Sequence, residues 1–81
     1  MVPFPERLSA IRKSKGARQA DAAQAAGITV RGYQYYEQGA KEPTMTVLIA
    51  LADYFNVSLD YLVGRSDDPS FSTRNSDSTE L

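Results

Sequence analysis

The chain has 81 residues, contains no cysteine and no histidine, and carries a formal net charge of −1. A chain of this size folds as one domain around one modest core. The missing residue types exclude disulfides, thiolate nucleophiles, imidazole bases and the usual soft metal ligands, so we expect neither an enzyme nor a metal or cofactor site.

The first two helices are predicted by apolar spacing and by the glycines that end them. The first helix begins near Pro5, which a first turn tolerates, and ends before Gly16. One apolar face runs along it at spacings of four and three, formed by Phe4, Leu8 and Ile11. The second helix is alanine-rich, runs from Arg18 to Ala26, and ends at Gly27.

Three further helices are predicted by hydroxyl residues that can cap their starts, namely Thr29, Thr44 and Ser58. The third helix is expected to reach Gln38, before Gly39. The fourth carries the broadest apolar stripe of the chain, formed by Val47, Leu48, Leu51, Ala52 and Phe55. No stretch alternates with the period of two that strands require. The sequence therefore predicts an all-α fold with five short helices.

The end of the chain differs in composition from the rest. Up to Arg65 the chain has eight basic and six acidic residues, whereas residues 66–81 have one basic and four acidic residues. Phe71 and Leu81 are the sizeable apolar residues of this segment, too few to offset the entropy of ordering it. We expect a folded domain over residues 1–65 and a flexible acidic tail or linker over 66–81. Nothing resembles a signal peptide or a spanning segment, so a cytoplasmic protein without membrane contact is expected.

The most informative stretch runs from Gln19 to Gly39, QADAAQAAGITVRGYQYYEQG. Two helices joined by a short turn cross steeply when the first has a small side chain at the crossing and the turn contains a glycine. Ala23 and Gly27 supply both. Ile28 and Tyr33 then point back inward, so the pattern predicts a helix-turn-helix corner.

With these pieces in order, the chain resembles the phage-repressor-like (Xre/Cro-type) helix-turn-helix family over about residues 7–64. The matching segments are RLSAIRKSKG, Gln19 at the start of the second helix, YEQG with KEP after the third, and LIALADYFNVSLDYLVGR. The resemblance implies a compact five-helix, lambda-repressor-like domain from a bacterium or its mobile elements. It also implies a transcriptional regulator, typically a repressor, whose third helix enters the major groove of double-stranded DNA, often as two copies on a palindromic operator.

The side chains that would read bases share one face of the third helix. At about 100° per residue, Arg31, Gln34, Tyr35 and Gln38 lie opposite Tyr33, Tyr36 and Glu37. Arginine offers two donors to guanine, glutamine pairs with adenine, and an aliphatic side chain touches the thymine methyl group. We therefore assign base contacts to a reading face formed by Val30, Arg31, Gln34 and Tyr35.

Phosphate contacts orient a protein on DNA without reading its sequence. The resemblance implies such a contact for Gln19, at a helix start that favours anions. The full set expected to contact phosphate is Arg18, Gln19, Gln38, Gly39 and Lys41. The resemblance further implies a structural salt bridge between Arg12 on the first helix and Glu37 at the end of the third.

Two features depart from the family's pattern. Ala22 and Ala26 stand where leucine-like bulk is usual, and Tyr33 stands where an aliphatic residue is usual. We expect the ring to fill the volume that the alanines leave, because cores conserve total volume better than individual shapes. Arg18 replaces the usual hydroxyl cap of the second helix, and Asp21 is expected to compensate by facing the free amides.

Other functions stay open at this stage. The fold could serve as an antitoxin-like interaction module with secondary DNA binding, and Phe71 in the tail would then contact a protein partner. A cluster of three tyrosines suggests stacking on single-stranded bases, but Tyr33 and Tyr36 are predicted to face the core. The last helix offers little apolar surface, so we expect a weak homodimer that DNA reinforces.

Overall fold

A computed structural model describes residues 2–70 of the chain, and within them it contains five helices. Their bounds are α1, Phe4–Ser14; α2, Gln19–Ala26; α3, Val30–Gln38; α4, Met45–Phe55; and α5, Leu59–Leu62. No strand occurs between residues 2 and 70. The predicted all-α, five-helix fold is therefore confirmed.

The predicted hydroxyl caps begin three of these helices. The side chain of Thr29 accepts the Gly32 N–H at 3.0 Å, and that of Thr44 accepts the Val47 N–H at 3.2 Å. The hydroxyl of Ser58 caps α5 in the same way and accepts the Tyr61 N–H at 3.0 Å. Each cap satisfies one of the free amides that a helix start leaves.

A single core joins the five helices. Its largest fully buried side chains are Leu8, Tyr33, Leu51, Phe55 and Leu62. Helix α2 contributes only the small side chains of Ala22 and Ala23, which are 0% and 1% exposed. A fully buried large apolar side chain stabilises a fold by about 1.5–3 kcal/mol, so α1, α3, α4 and α5 supply most of the burial energy.

Arg7 is buried on α1 and holds the chain that follows α5. Its guanidinium lies 4.0 Å from the centre of the Tyr61 ring. Nη1 donates to the carbonyl oxygens of Tyr61, at 2.8 Å, and Ser66, at 3.0 Å. Nη2 lies 3.3 Å from a carboxylate oxygen of Asp67, whose side chain is fully exposed. A buried guanidinium needs acceptors, and these carbonyls supply them.

The first residues of the expected tail therefore lie against the body. The N–H of Ser58 also donates to the carbonyl oxygen of Pro69 at 2.9 Å. The rest of the expected tail, including Phe71 and Leu81, lies outside the described residues. Within residues 2–70, no helix is long and apolar enough to cross a membrane.

Candidate nucleic-acid interface

A tight corner joins α2 to α3. Gly27 adopts the left-handed conformation, with a φ of 72°, and the N–H of Ile28 donates to the carbonyl oxygen of Ala23 at 3.0 Å. These features end α2, and the Thr29 cap begins α3 two residues after the glycine. The chain therefore changes direction between Ala26 and Val30, and α3 is a separate helix rather than a continuation of α2.

Small side chains on α2 accompany one large ring on α3. Ala22, Ala23 and Tyr33 all belong to the buried core and are at most 1% exposed, while Ala26 is half-buried at its edge. This burial agrees with the expected exchange of volume between the alanines and the ring. It also removes the Tyr33 ring from any surface on which a single-stranded base could stack.

The predicted reading face is on the outside of α3. Val30 is 40% exposed, Arg31 is exposed, and Gln34 and Tyr35 are half-buried. Arg31 Nε donates to the Tyr35 hydroxyl at 3.0 Å. Lys41 Nζ, from the segment after α3, lies 4.9 Å from the centre of the same ring. The structure thus places one predicted phosphate contact, Lys41, and one predicted base contact, Arg31, around Tyr35, which is itself a predicted base contact.

The carboxylate of Glu37 lies on the inner side of α3 and accepts four hydrogen bonds. Arg12 reaches it from α1, with Nε 2.7 Å from Oε2 and Nη2 3.2 Å from Oε1. The Tyr33 hydroxyl donates to Oε2 at 2.6 Å, and Gln19 Nε2 donates to Oε1 at 3.1 Å. The Glu37 side chain is 8% exposed and that of Arg12 is 14% exposed. This Glu37 network therefore links α1, α2 and α3 through one charge.

The network shifts the protonation of its members. Burial alone would raise the pKa of Glu37, but the hydrogen bonds from Arg12, Tyr33 and Gln19 outweigh it, so the pKa lies below its ordinary value. Burial, together with the neighbouring carboxylate, raises the pKa of Tyr33 far above its usual range. The hydrogen bond to Glu37 raises the pKa of Arg12. At neutral pH the carboxylate is thus ionised and the phenol is a donor.

Gln19 connects this network to the reading face. Its side-chain oxygen accepts a hydrogen bond from Gln34 Nε2 at 3.1 Å, while its own nitrogen donates to Glu37. A residue expected to contact phosphate and a residue expected to contact a base are therefore bonded to each other. Sequence reasoning placed both on the DNA side but did not join them.

The other predicted phosphate contacts surround the two helix ends. At the start of α2 the Arg18 side chain is exposed and pairs with Asp21, whose carboxylate also accepts the Arg18 backbone N–H at 3.1 Å. The hydrogen bonds from Arg18 lower the pKa of Asp21. The Asp21 carboxylate was expected to face the free amides of the helix, and the amide that it binds is that of Arg18, the residue before the helix. Gln38 and Gly39 are exposed at the end of α3, where Gly39 is left-handed with a φ of 76°. The Gly39 N–H already donates to the Tyr36 oxygen, at 3.2 Å.

Two side chains of the structure were missed by sequence reasoning. The first is the Tyr33 hydroxyl as a donor to Glu37, although a spacing of four on one helix is the signal for such a pair. The second is the buried Arg7, whose carbonyl acceptors lie more than fifty positions away and leave no local signal. No cluster of acidic side chains within residues 2–70 is arranged to hold a metal ion.

Comparisons with known proteins agree with this architecture. A family model described as helix-turn-helix matches residues 8–62. The uncharacterized HTH-type transcriptional regulator YqaE of Bacillus subtilis is 41% identical over 69 residues, which cover 84% of this chain and 60% of the relative. The cryptic phage CTXphi transcriptional repressor RstR of Vibrio cholerae is 42% identical over 64 residues, covering 79% of this chain and 57% of that one. The chain thus spans about three fifths of the curated relatives it matches.

Solved structures show the same likeness. The P22 c2 repressor, crystallised in complex with a synthetic operator, superimposes with a TM-score of 0.75 at 29% identity, over 82% of this chain and 100% of that one. A transcriptional regulator from Listeria innocua gives a TM-score of 0.72 at 30% identity, over 95% and 72% of the two chains.

A tight α2–α3 corner that presents the outer side of its second helix is the arrangement of helix-turn-helix proteins. The chain belongs to the phage-repressor-like (Xre/Cro-type) helix-turn-helix family of DNA-binding transcriptional regulators.

Proposed function

We propose that the protein represses transcription by binding a specific site on double-stranded DNA, with α3 in the major groove and two copies on a palindromic operator. The observation that carries the proposal is the position of the exposed Arg31 and the half-buried Gln34 on the outer side of a short helix that follows a glycine corner. The similarity to a repressor crystallised with operator DNA supports it. Half-sites of such dimers lie about 34 Å apart along the duplex.

The chemistry of the reading face supports this assignment. The hydrogen bond from Arg31 to Tyr35 uses Nε and leaves both terminal nitrogens to donate to guanine O6 and N7. Gln34 offers a donor and an acceptor to adenine, and Val30 offers methyl groups to thymine. Tyr35 lies between Arg31 and Lys41. With α3 in the groove, it would contact the edge of a base or the adjoining DNA backbone.

Phosphate contacts would flank this face on both sides. Arg18 and Gln19 lie at the start of α2, where free amides and the helix dipole favour an anion. Lys41 and the Gln38 side chain lie after and at the end of α3. The N–H of Gly39 is already hydrogen-bonded to the Tyr36 oxygen. We therefore assign Gly39 to the turn after α3, from which Gln38 and Lys41 would reach the DNA backbone.

The test begins with selection of bound duplexes from a random pool, which yields the half-site and its symmetry. Arg31→Ala should then weaken binding to the selected duplex by about 1–3 kcal/mol and relax the preference at one base position. Lys41→Ala should weaken all duplexes alike and make the dependence of affinity on salt less steep. Gln24→Ala, an exposed change on α2 away from both sets, serves as the control.

Two results would contradict the proposal. If Arg31→Ala leaves both affinity and base preference unchanged, the assigned reading face is wrong. If the wild-type protein shows no affinity for random duplex DNA at low salt, DNA binding itself fails. No feature of residues 2–70 favours the antitoxin-like alternative, and Phe71, on which it depended, lies outside the described residues.

A further inference from the structure

Three side chains form a hydrogen-bonded chain from the buried charge to the surface of α3. Gln19 Nε2 donates to Glu37 Oε1 at 3.1 Å, and Gln34 Nε2 donates to Gln19 Oε1 at 3.1 Å. The Glu37 carboxylate lies in the interior, whereas Gln34 belongs to the reading face. The chain therefore joins the inner side of the α2–α3 corner to its outer side.

The direction of both hydrogen bonds is dictated by the charge. An ionised carboxylate has no hydrogen to donate, so Gln19 must turn its NH2 group toward Glu37. Its oxygen then points to Gln34, which must in turn present its own NH2 group. Arg12 keeps the carboxylate ionised and in place, because it binds both of its oxygens. A free glutamine can rotate its amide by half a turn, but Gln34 cannot do so without losing its hydrogen bond to Gln19.

A fixed amide has consequences for base recognition. After donating one hydrogen to Gln19, Gln34 retains one N–H and its oxygen, in a fixed order. Adenine presents N7 as acceptor and its N6 amino group as donor, which complements this pair. Guanine presents two acceptors, N7 and O6, so the Gln34 oxygen would face another oxygen. A glutamine whose amide is free to turn can instead aim only its NH2 group at guanine O6 or N7, so the fixed order adds to the discrimination that glutamine already has.

We propose that Glu37, acting through Gln19, is a positioning residue that orients the Gln34 amide for adenine and against guanine. The proposal rests on the proposed function, in which α3 reads the major groove. It assigns Gln19 a second task besides phosphate contact, and it makes the interior ion pair a determinant of base preference.

Gln19→Met tests the chain of hydrogen bonds, because methionine keeps the length and helix propensity of glutamine but removes the donor and the acceptor. The matched control is Gln24→Met, an exposed change on the same helix. In the free protein, NMR of the side-chain amides should show the Gln34 NH2 hydrogens exchanging faster with water in Gln19→Met than in wild type or Gln24→Met. This measurement needs no DNA.

Base preference is measured with the duplex selected from a random pool and with its variants in which one adenine is replaced by guanine. Gln34→Ala first identifies the position at which the preference depends on this side chain. At that position Gln19→Met should reduce the preference for adenine over guanine by about fivefold or more, whereas Gln24→Met leaves it unchanged. In the Gln34→Ala background, Gln19→Met should cause no further loss of preference. The loss of a phosphate contact alone would weaken all duplexes equally and leave the ratio constant.

The outcomes separate the two proposals. The positioning role is overturned, and DNA reading stands, if Gln34→Ala removes a base preference that Gln19→Met preserves. The same holds if the Gln34 amide hydrogens exchange equally fast in Gln19→Met and in wild type. If Gln34→Ala changes no preference while Arg31→Ala does, α3 reads DNA without Gln34 and the positioning role is overturned. If neither variant changes a preference, both proposals fall.

Discussion

At the scale of single residues, the Glu37 carboxylate joins three helices through its hydrogen bonds. Its two oxygens have four lone-pair directions, and four hydrogen bonds from Arg12, Tyr33 and Gln19 occupy them. Desolvation can cancel the attraction within a buried ion pair, so the network need not stabilise the fold relative to an apolar replacement of all its members. Loss of one member is different, because it leaves unmatched donors or an uncompensated charge in the interior.

Acid should therefore weaken the fold through Glu37. Because its folded-state pKa lies below its ordinary value of 4.5, the ionised carboxylate contributes stability at higher pH, and this contribution is lost as the pH falls through the folded-state pKa. Glu37→Gln should unfold about 3 kcal/mol more easily at neutral pH and should lose less further stability on acidification. Urea denaturation from neutral pH to about pH 3 measures both effects.

Glu42→Gln, at an exposed position, is the control for this titration. It should retain the stability and the acid dependence of the wild type. Parallel pH curves for wild type and Glu37→Gln would show that the Glu37 carboxylate does not titrate as the hydrogen bonds require.

The sequence predicts which side chains are hydrogen-bonded to each other only when the two residues are close together in the chain. Tyr33 and Glu37, four apart on one helix, were open to prediction, whereas the bond between Gln19 and Gln34 depends on how two helices cross. Both glutamines were placed on the DNA side from the sequence. Their mutual bond, and with it the orientation of the Gln34 amide, required the structure.

At the scale of the helices, α2 buries small side chains and α3 buries a large one. The fully buried side chains of α2 are the small ones of Ala22 and Ala23, with Ala26 half-buried beside them, whereas α3 buries the whole Tyr33 ring. Interiors pack at the density of crystals, so extra side-chain volume at this contact has nowhere to go. We therefore expect the position of α3 to depend on the absence of bulk on α2.

Ala22→Leu should lower the free energy of unfolding by about 1–3 kcal/mol, since overpacking a filled core forces shifts of side chains or backbone. Ala25→Leu makes the same change on the exposed side of the same helix and should stay within about 0.5 kcal/mol of wild type. Thermal or urea unfolding compares the two variants. A neutral or stabilising effect of Ala22→Leu would refute the exchange of volume between the alanines and Tyr33.

The helices themselves followed from the sequence because their signals are local. Thr29, Thr44 and Ser58 mark starts, Gly27 and Gly39 mark ends, and the apolar stripe of α4 marks the core. These signals act within one turn of helix, so periodicity and capping chemistry suffice to find them. The contacts of Arg7 link residues far apart in the chain, and no rule of spacing reports them.

At the scale of the whole molecule, Arg7 ties the segment after α5 to α1. The guanidinium is packed on the Tyr61 ring and donates to the Tyr61 and Ser66 carbonyl oxygens. The further bond from Ser58 N–H to Pro69 holds the same segment from the other side. The salt bridge to Asp67 adds little, because its carboxylate is 99% exposed.

Arg7→Met should keep most of the aliphatic packing but remove these donors. We expect a loss of about 1–3 kcal/mol, since two carbonyls on half-buried residues lose a charged donor. We also expect faster hydrogen exchange at the Ser58 amide as the 66–70 segment detaches. Lys13→Met, exposed on the same helix, should change neither quantity. Unaltered Ser58 exchange in Arg7→Met would show that the segment is held by other contacts.

The contacts of Arg7 also determine where a linker that follows residue 70 begins. A domain joined after Ser70 would start from a point beside Ser58, just before α5, because residues 66–70 are held to the body by Arg7 and by the Ser58 N–H. At about 3.5 Å per residue, roughly 17 Å of reach is withheld from such a connection. The effective concentration of two tethered domains varies with the span their connector must cover, so a fusion designed as if residue 66 were the free end would be too short.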